Sequence, residues 1–154
     1  PQSFEYMNIH EMFDDLLAEF FVPGEPKAKG SMRSIPFQDK AGKLHVNTFN
    51  ANKSVTAWER VTKLSALEVW GDRPPVQEAV QIDLMFTLQR PKTVKEKSRP
   101  LPIVKPDIDK LSRTLLDALS GIVFGDDAQV TGLTATKRYG SAGDPVGVTV
   151  RILR

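Results

Sequence analysis

Four carboxylates in two tight pairs, Asp107 with Asp109 and Asp126 with Asp127, are the side chains of this sequence best placed to do chemistry. In each pair one acid would be enough for structure. An Asp at a helix start caps orphan amides and complements the dipole, and an Asp after Gly125 suits a turn. Such roles account for one member of each pair; the repulsion added by the second is tolerable when a cation neutralises it. Clustered carboxylates are hard oxygen ligands suited to Mg²⁺ or Mn²⁺, which bind through a few acids and keep several waters. On spacing alone, both the capping and the cation-binding readings stand.

The segment between the pairs must hold them in place. Asp107, just after Pro106, is expected to be an N-cap whose side-chain oxygen accepts from the first-turn amides. Ile108, Leu111, Leu115 and Leu119 recur at helical spacing and give one apolar face. Gly121 is a helix stop, because glycine enters the left-handed conformation without steric cost. Ile122 to Phe124 is a short apolar run, Gly125-Asp126-Asp127 a turn, and Ala128, Val130 and Leu133 open a strand. One acidic pair therefore stands where a helix starts and the other where a strand starts.

The stretch Lys105 to Val130, KPDIDKLSRTLLDALSGIVFGDDAQV, resembles the signature of the RusA family of Holliday junction resolvases. The resemblance runs through Pro106, Asp107, Asp109, Asp117-Ala118-Leu119, Asp126-Asp127 and Gln129-Val130, with the spacer at family length. It implies a RusA-like homodimer that cuts four-way DNA junctions with Mg²⁺ (Mn²⁺ as a substitute). Asp107, Asp109 and Asp127 are then the expected metal ligands, with Asp126 a ligand or an outer support. Two residues depart from the family pattern: Lys110 stands where Asn is usual, and Arg113 where the catalytic-site Lys is usual. Arg cannot release a proton at neutral pH, so Arg113 can stabilise phosphate charge but not act as an acid or base. Lys110, one turn away, could supply an ammonium instead. Arg113 is also spaced for an i,i+4 ion pair with Asp117. The alternatives are a broader branched-DNA nuclease cutting flaps or forks, a catalytically impaired junction-binding module, and a non-enzymatic structural domain.

The remaining sequence fits a polyanion partner. The net charge of +2 hides an asymmetry: residues 1 to 26 hold no Lys or Arg and six acids, which leaves the remainder at +8. A body this basic suits a nucleic acid, although ordinary solvated surface would read the same way. Arg90 to Lys105 concentrates the charge in Arg90, Lys92, Lys95, Lys97, Arg99 and Lys105, against Glu96 alone. Its prolines forbid a regular helix, and a loop this long inside a domain is commonly functional or disordered. Directly before Asp107, it would deliver cations to a phosphate backbone beside the cutting centre. Lys27, Lys29 and Arg33 form a second basic element around Gly30, similar to the family's Lys-Gly-x-x-Arg, where backbone can approach phosphate closely.

Taken in order, the chain opens with an acidic and apolar extension, 1–16, in which Ile9 to Leu17 would form a short amphipathic helix. A strand follows from Leu17 to Val22, then a hairpin over 34–53. Thr56-x-x-Glu59 reads as a capping box opening a helix to about Trp70, with Trp58, Val61, Leu64 and Leu67 on one side and Trp58 in the core. Val80, Ile82, Leu84 and Phe86 alternate as a half-buried strand. Val130 to Tyr139 and Val146 to Leu153 read as a final strand pair. The expected fold is a single α+β domain over 1–154, a mixed sheet with helices on one face and the basic Pro-rich loop at 90–105. Two strand–helix–strand steps favour right-handed parallel crossovers. With no cysteine there is no disulfide or thiolate metal site, so a reducing cytoplasm is permitted; the resemblance implies a bacterial or phage-infected cell. No apolar run reaches membrane-spanning length and no secretion signal opens the chain, so no membrane partner is expected.

Overall fold

Strand β4 (Val80–Leu88) turns its alternation into a core: Val80, Ile82, Leu84, Phe86 and Leu88 are all buried in the computed structural model. The structure describes residues 15–29, 33–49 and 53–154. β4 lies inside a four-stranded sheet of order β1-β6-β4-β5, where β1 is Leu16–Pro23, β5 Val130–Tyr139 and β6 Gly147–Leu153. It runs parallel to β5 and antiparallel to β6, and β6 pairs antiparallel with β1. The expected mixed sheet is present. Its second face is less open than the alternation suggests, since Gln81 and Thr87 are buried as well.

The final two strands do not pair with each other. β4 lies between them, because residues 140–146 are long enough to step over one strand, a span of two spacings or about 10 Å. The hairpin, β2 (Arg33–Gln38) with β3 (Leu44–Phe49), forms a separate two-stranded sheet. Only one strand–helix–strand step is therefore a parallel crossover, the one from β4 through helix α2 (Ile108–Leu119) to β5.

Helix α1 (Lys53–Trp70) starts before Thr56, which lies inside it, so the expected capping box does not open the helix. It buries Val55, Trp58, Thr62, Ala66 and Trp70. Trp58 is core as expected, but Val61, Leu64 and Leu67 are exposed. The sequence offered two apolar stripes, and packing against β1 and α2 selects the one carrying both tryptophans, which buries more area. Leu16 and Leu17 belong to β1, so the helix expected over Ile9 to Leu17 does not reach them; its first residues lie outside the described ones. In α2, Leu111, Leu115 and Leu119 are fully buried, and Gly121 just beyond adopts φ +84°, which L side chains rarely tolerate. Val123 and Phe124 continue the core under the turn that leads to β5.

Candidate active site and nucleic-acid interface

The approach to Asp107 is anchored from β5. Lys137 Nζ donates to Val104 O at 2.8 Å and to Pro106 O at 2.9 Å, tying down the chain just before the helix. The Lys105–Pro106 peptide is cis. Asp107 occupies the N-cap with extended backbone, and its carbonyl accepts from Leu111 N at 3.0 Å. Its carboxylate makes no capping hydrogen bond, contrary to the sequence expectation. It lies instead 3.3 Å from Lys110 Nζ, each side chain 46% exposed. A pair this open contributes at most about 1 kcal/mol, so it holds the carboxylate only lightly. Asp109, in the first turn, is exposed.

The second pair divides its labour. Asp126 caps a 3₁₀ turn, Asp127–Gln129: its Oδ1 accepts from Ala128 N at 2.8 Å, and its own N donates to Gln129 Oε1 at 2.8 Å. Gln129 Nε2 in turn donates to Val76 O and Glu78 O, at 2.8 and 2.9 Å. Asp126 and Gln129 thus form a scaffold that leaves Asp127 exposed. The neighbouring Asp126 carboxylate pushes the Asp127 pKa up, first through a shared hydrogen bond, then with slight desolvation and the charges of Asp126 and Asp117. Two acids forced together in this way are what a bound cation relieves.

Two hollows flank α2. One, of about 420 Å³, is lined by Asp109, Arg113 and Asp127 together with Ile108, Ser112, Leu116, Leu133 and Ala135. The other, of about 390 Å³, has Asp107 beside Lys27, Lys29, Lys105 and Lys110. Asp109 and Asp127, one acid from each pair, line the same hollow, whereas Asp107 lines the other. Among the described residues no three His, Cys, Asp or Glu side chains lie close enough to hold a metal.

The cations fall into two groups. Lys29 donates to Asp117 Oδ2 at 2.9 Å, lies 3.4 Å from Glu59 Oε1, and its backbone N donates to Thr114 Oγ1 at 2.9 Å. Asp117 therefore pairs with Lys29 and not with Arg113, which is exposed and makes no ion pair among the described residues. In the Pro-rich loop, Arg90 donates to Arg99 O and Pro100 O and stacks over Tyr139, its guanidinium carbon 4.4 Å from the ring centre. Arg99 lies over the same ring at 5.9 Å. These two arginines shape the loop, whereas Lys92, Lys95 and Lys97 project into solvent with Lys105. Residues 90–105 contain no helix or strand. Lys27 is half-buried at the rim of the Asp107 hollow. Arg33 opens β2, but its side chain and Gly30 lie outside the described residues.

Sequence reasoning missed Lys137, Glu59 and the scaffolding role of Gln129. Lys137 had a readable signal, since it alternates with Leu133 and Ala135 on the face of β5 toward α2; Glu59 had none, because its partner is distant in sequence.

Known proteins match the same region. A family model described as endodeoxyribonuclease RusA matches residues 23–152. Over 132 residues the chain is 29% identical to an uncharacterized protein, YqaN, of Bacillus subtilis (strain 168), covering 79% of this chain and 87% of that protein. No helix among the described residues is long and apolar enough to cross a membrane.

Proposed function

The chain belongs to the RusA endodeoxyribonuclease family, and from that membership we propose that it is a divalent-metal-dependent nuclease that resolves four-way DNA junctions as a homodimer. The observation that carries the reading is the Asp107 carboxylate, which sits at a helix N-cap yet caps nothing, with Asp109 exposed in the turn that follows. Carboxylates whose only role was structural would be engaged with amides, as Asp126 is.

The donor set fits a hard cation: Asp109 and Asp127 are exposed and Asp107 half-exposed, all their donors are oxygen, and Asp127 is under repulsion from Asp126. Asp107, Asp109 and Asp127 would hold Mg²⁺ or Mn²⁺, with Asp126 keeping Asp127 in place through its cap. When bound, such an ion lowers the pKa of a water and offsets charge on the scissile phosphate. Lys110 and Arg113 add preorganised positive charge at the same phosphate oxygens. Lys27 and Lys105, around the Asp107 hollow, and Lys92, Lys95 and Lys97 on the loop supply backbone contacts that position the DNA without reading its sequence.

A junction-binding module without catalysis is the second reading, favoured by the absence, among the described residues, of three such side chains close enough to hold one metal ion. One experiment separates the two: incubation with a synthetic junction, fork, flap and linear duplex, with Mg²⁺ and with EDTA. Symmetric Mg²⁺-dependent nicks in the junction support the resolvase; equal cutting of flaps and forks indicates a broader branch nuclease. Junction binding that yields no nick in any divalent metal overturns catalysis.

A further inference from the structure

Just before Asp107 the Pro-rich loop turns its apolar side chains outward. Ile103 is 82% exposed and Leu101 59%, and Val104 is exposed as well. A lone apolar side chain in water is ordinary, but clustered ones mark a contact surface. Pro102, between them, is buried, so the segment is seated on the domain while its flanks stand clear. Ile103 N donates to Leu101 O at 2.9 Å, which closes a three-residue turn around that proline.

Both ends of this knuckle are fastened. On one side Arg90 donates to Arg99 O and Pro100 O, and its guanidinium is held over Tyr139. On the other, Lys137 donates to Val104 O and Pro106 O. The tip is thereby fixed relative to Asp107, and the chain from Ile103 to Asp107 spans at most about 14 Å. At about 3.4 Å per nucleotide along one strand, that is a reach of about four nucleotides from a phosphate beside Asp107.

Charge decides what covers the patch. Residues 90–105 hold six cations against Glu96 alone, and Lys92, Lys95, Lys97 and Lys105 stand in solvent. Protein interfaces are depleted in lysine. Cations around an apolar centre suit a partner that is anionic outside and apolar within, which is a base stack between its phosphates. Isoleucine and leucine are among the side chains that part a base step. Opening costs least where pairing and stacking are already interrupted, as they are where four arms meet.

We propose that Leu101, Ile103 and Val104 form an apolar wedge that enters the base stack at a branch point and holds the opened step beside the cutting centre. This deepens the nuclease reading above and rests on it. The wedge selects for structure and not for base sequence, because in a linear duplex every step is stacked and resists entry.

Unstacking is measured directly with 2-aminopurine, whose fluorescence rises when it loses its neighbours. The probe is a synthetic four-way junction carrying that base at successive positions within about four nucleotides of the branch. The full chain is added in EDTA, so that nothing is cut. Binding should raise the fluorescence beside the branch. Replacing Leu101, Ile103 and Val104 with Ser should abolish the rise, with junction affinity kept within about threefold because the lysines hold the phosphates. Thermal stability should not change, since the replaced side chains are exposed. Ile103→Ser alone should weaken the rise, and Ile103→Met should keep it. With Mg²⁺ the triple variant should nick the junction at least about tenfold more slowly, and regain rate on a junction with unpaired bases at its branch. No rise with the unaltered chain, or an equal rise with the triple variant, overturns the wedge. A triple variant altered in sedimentation but not in fluorescence assigns the patch to a second copy of the chain and overturns it too. The two readings fail separately: a rise without nicking in any divalent metal counts against the nuclease, and nicking without a rise counts against the wedge.

Discussion

Lys29 Nζ donates to Asp117 Oδ2 at 2.9 Å across 88 positions of sequence, and the same ammonium lies 3.4 Å from a buried Glu59 oxygen that accepts no hydrogen bond. One lysine thereby joins the segment after β1 to both helices. It also occupies the acid that i,i+4 spacing had offered to Arg113, and so leaves Arg113 exposed with no ion pair among the described residues.

Removing that ammonium should unsettle the fold more than the binding surface. Lys29→Met is expected to cost about 1–3 kcal/mol in urea unfolding, since Asp117 loses a charged donor and Glu59 a neighbouring cation. The hydrogen bond from Asp117, against some desolvation, holds the Lys29 pKa above the ordinary lysine value. Its contribution is thus complete below the unfolded lysine pKa of about 10.4 and is lost as pH rises through the higher folded value. Unfolding of wild type and variant should converge on that alkaline side and differ fully at neutral pH; a constant difference throughout would mean the pair is electrostatically idle.

The four acids should separate by role. Asp107→Asn, Asp109→Asn and Asp127→Asn should each lower junction nicking by at least about a hundredfold, the scale of losing one preorganised charge-stabilising group, and leave junction affinity intact, because affinity comes from Lys and Arg. Asp126→Asn keeps an oxygen for Ala128 N and should be mild, whereas Asp126→Ala should cost about 0.5–2 kcal/mol of stability through the lost cap. Near-full nicking by Asp109→Asn would remove the metal-site reading.

Within the basic loop the arginines and lysines should part company. Replacing Lys92, Lys95 and Lys97 with Ala should leave thermal stability unchanged and flatten log affinity against log salt by up to about 0.9 for each phosphate no longer neutralised. Arg90→Ala should instead loosen the whole loop, seen as faster hydrogen exchange and proteolysis over 90–105, because Arg90 holds Arg99 O, Pro100 O and Tyr139 together. An unchanged salt slope in the triple variant would make those lysines mere solvated surface.

Arg113 should act through its charge alone. Arg113→Lys retains a cation and should keep substantial nicking, whereas Arg113→Ala should lose about a hundredfold or more. Stability should move by less than about 0.5 kcal/mol in either, since the side chain is exposed and unpaired among the described residues. Lys110→Ala tests whether the neighbouring ammonium shares the role. Wild-type rates from both alanine variants would reduce the helix to a carrier of acids.

The parts legible from sequence are those set by local geometry. The spacing of Leu111, Leu115 and Leu119 and the alternation of Val80, Ile82, Leu84 and Phe86 depend on the periods of one helix and one strand, and both elements formed with those faces buried. Gly121 marked a helix end because its backbone conformation is a property of the residue itself. The acids of the candidate site are singled out by residue type and spacing, which need no tertiary structure. What each acid does was decided by the folded surroundings. Asp107 faces Lys110 rather than its own amides, while Asp126 is locked by Gln129, which is itself held by Val76 and Glu78 far back along the chain. The stripe of α1 that is buried depends on β1 and α2, and the place of β4 between β5 and β6 depends on which edge remained for the last strand. Likewise Asp109 and Asp127, distant in sequence, line one hollow while Asp107 lines another, and only the way α2 packs beside β5 decides that grouping.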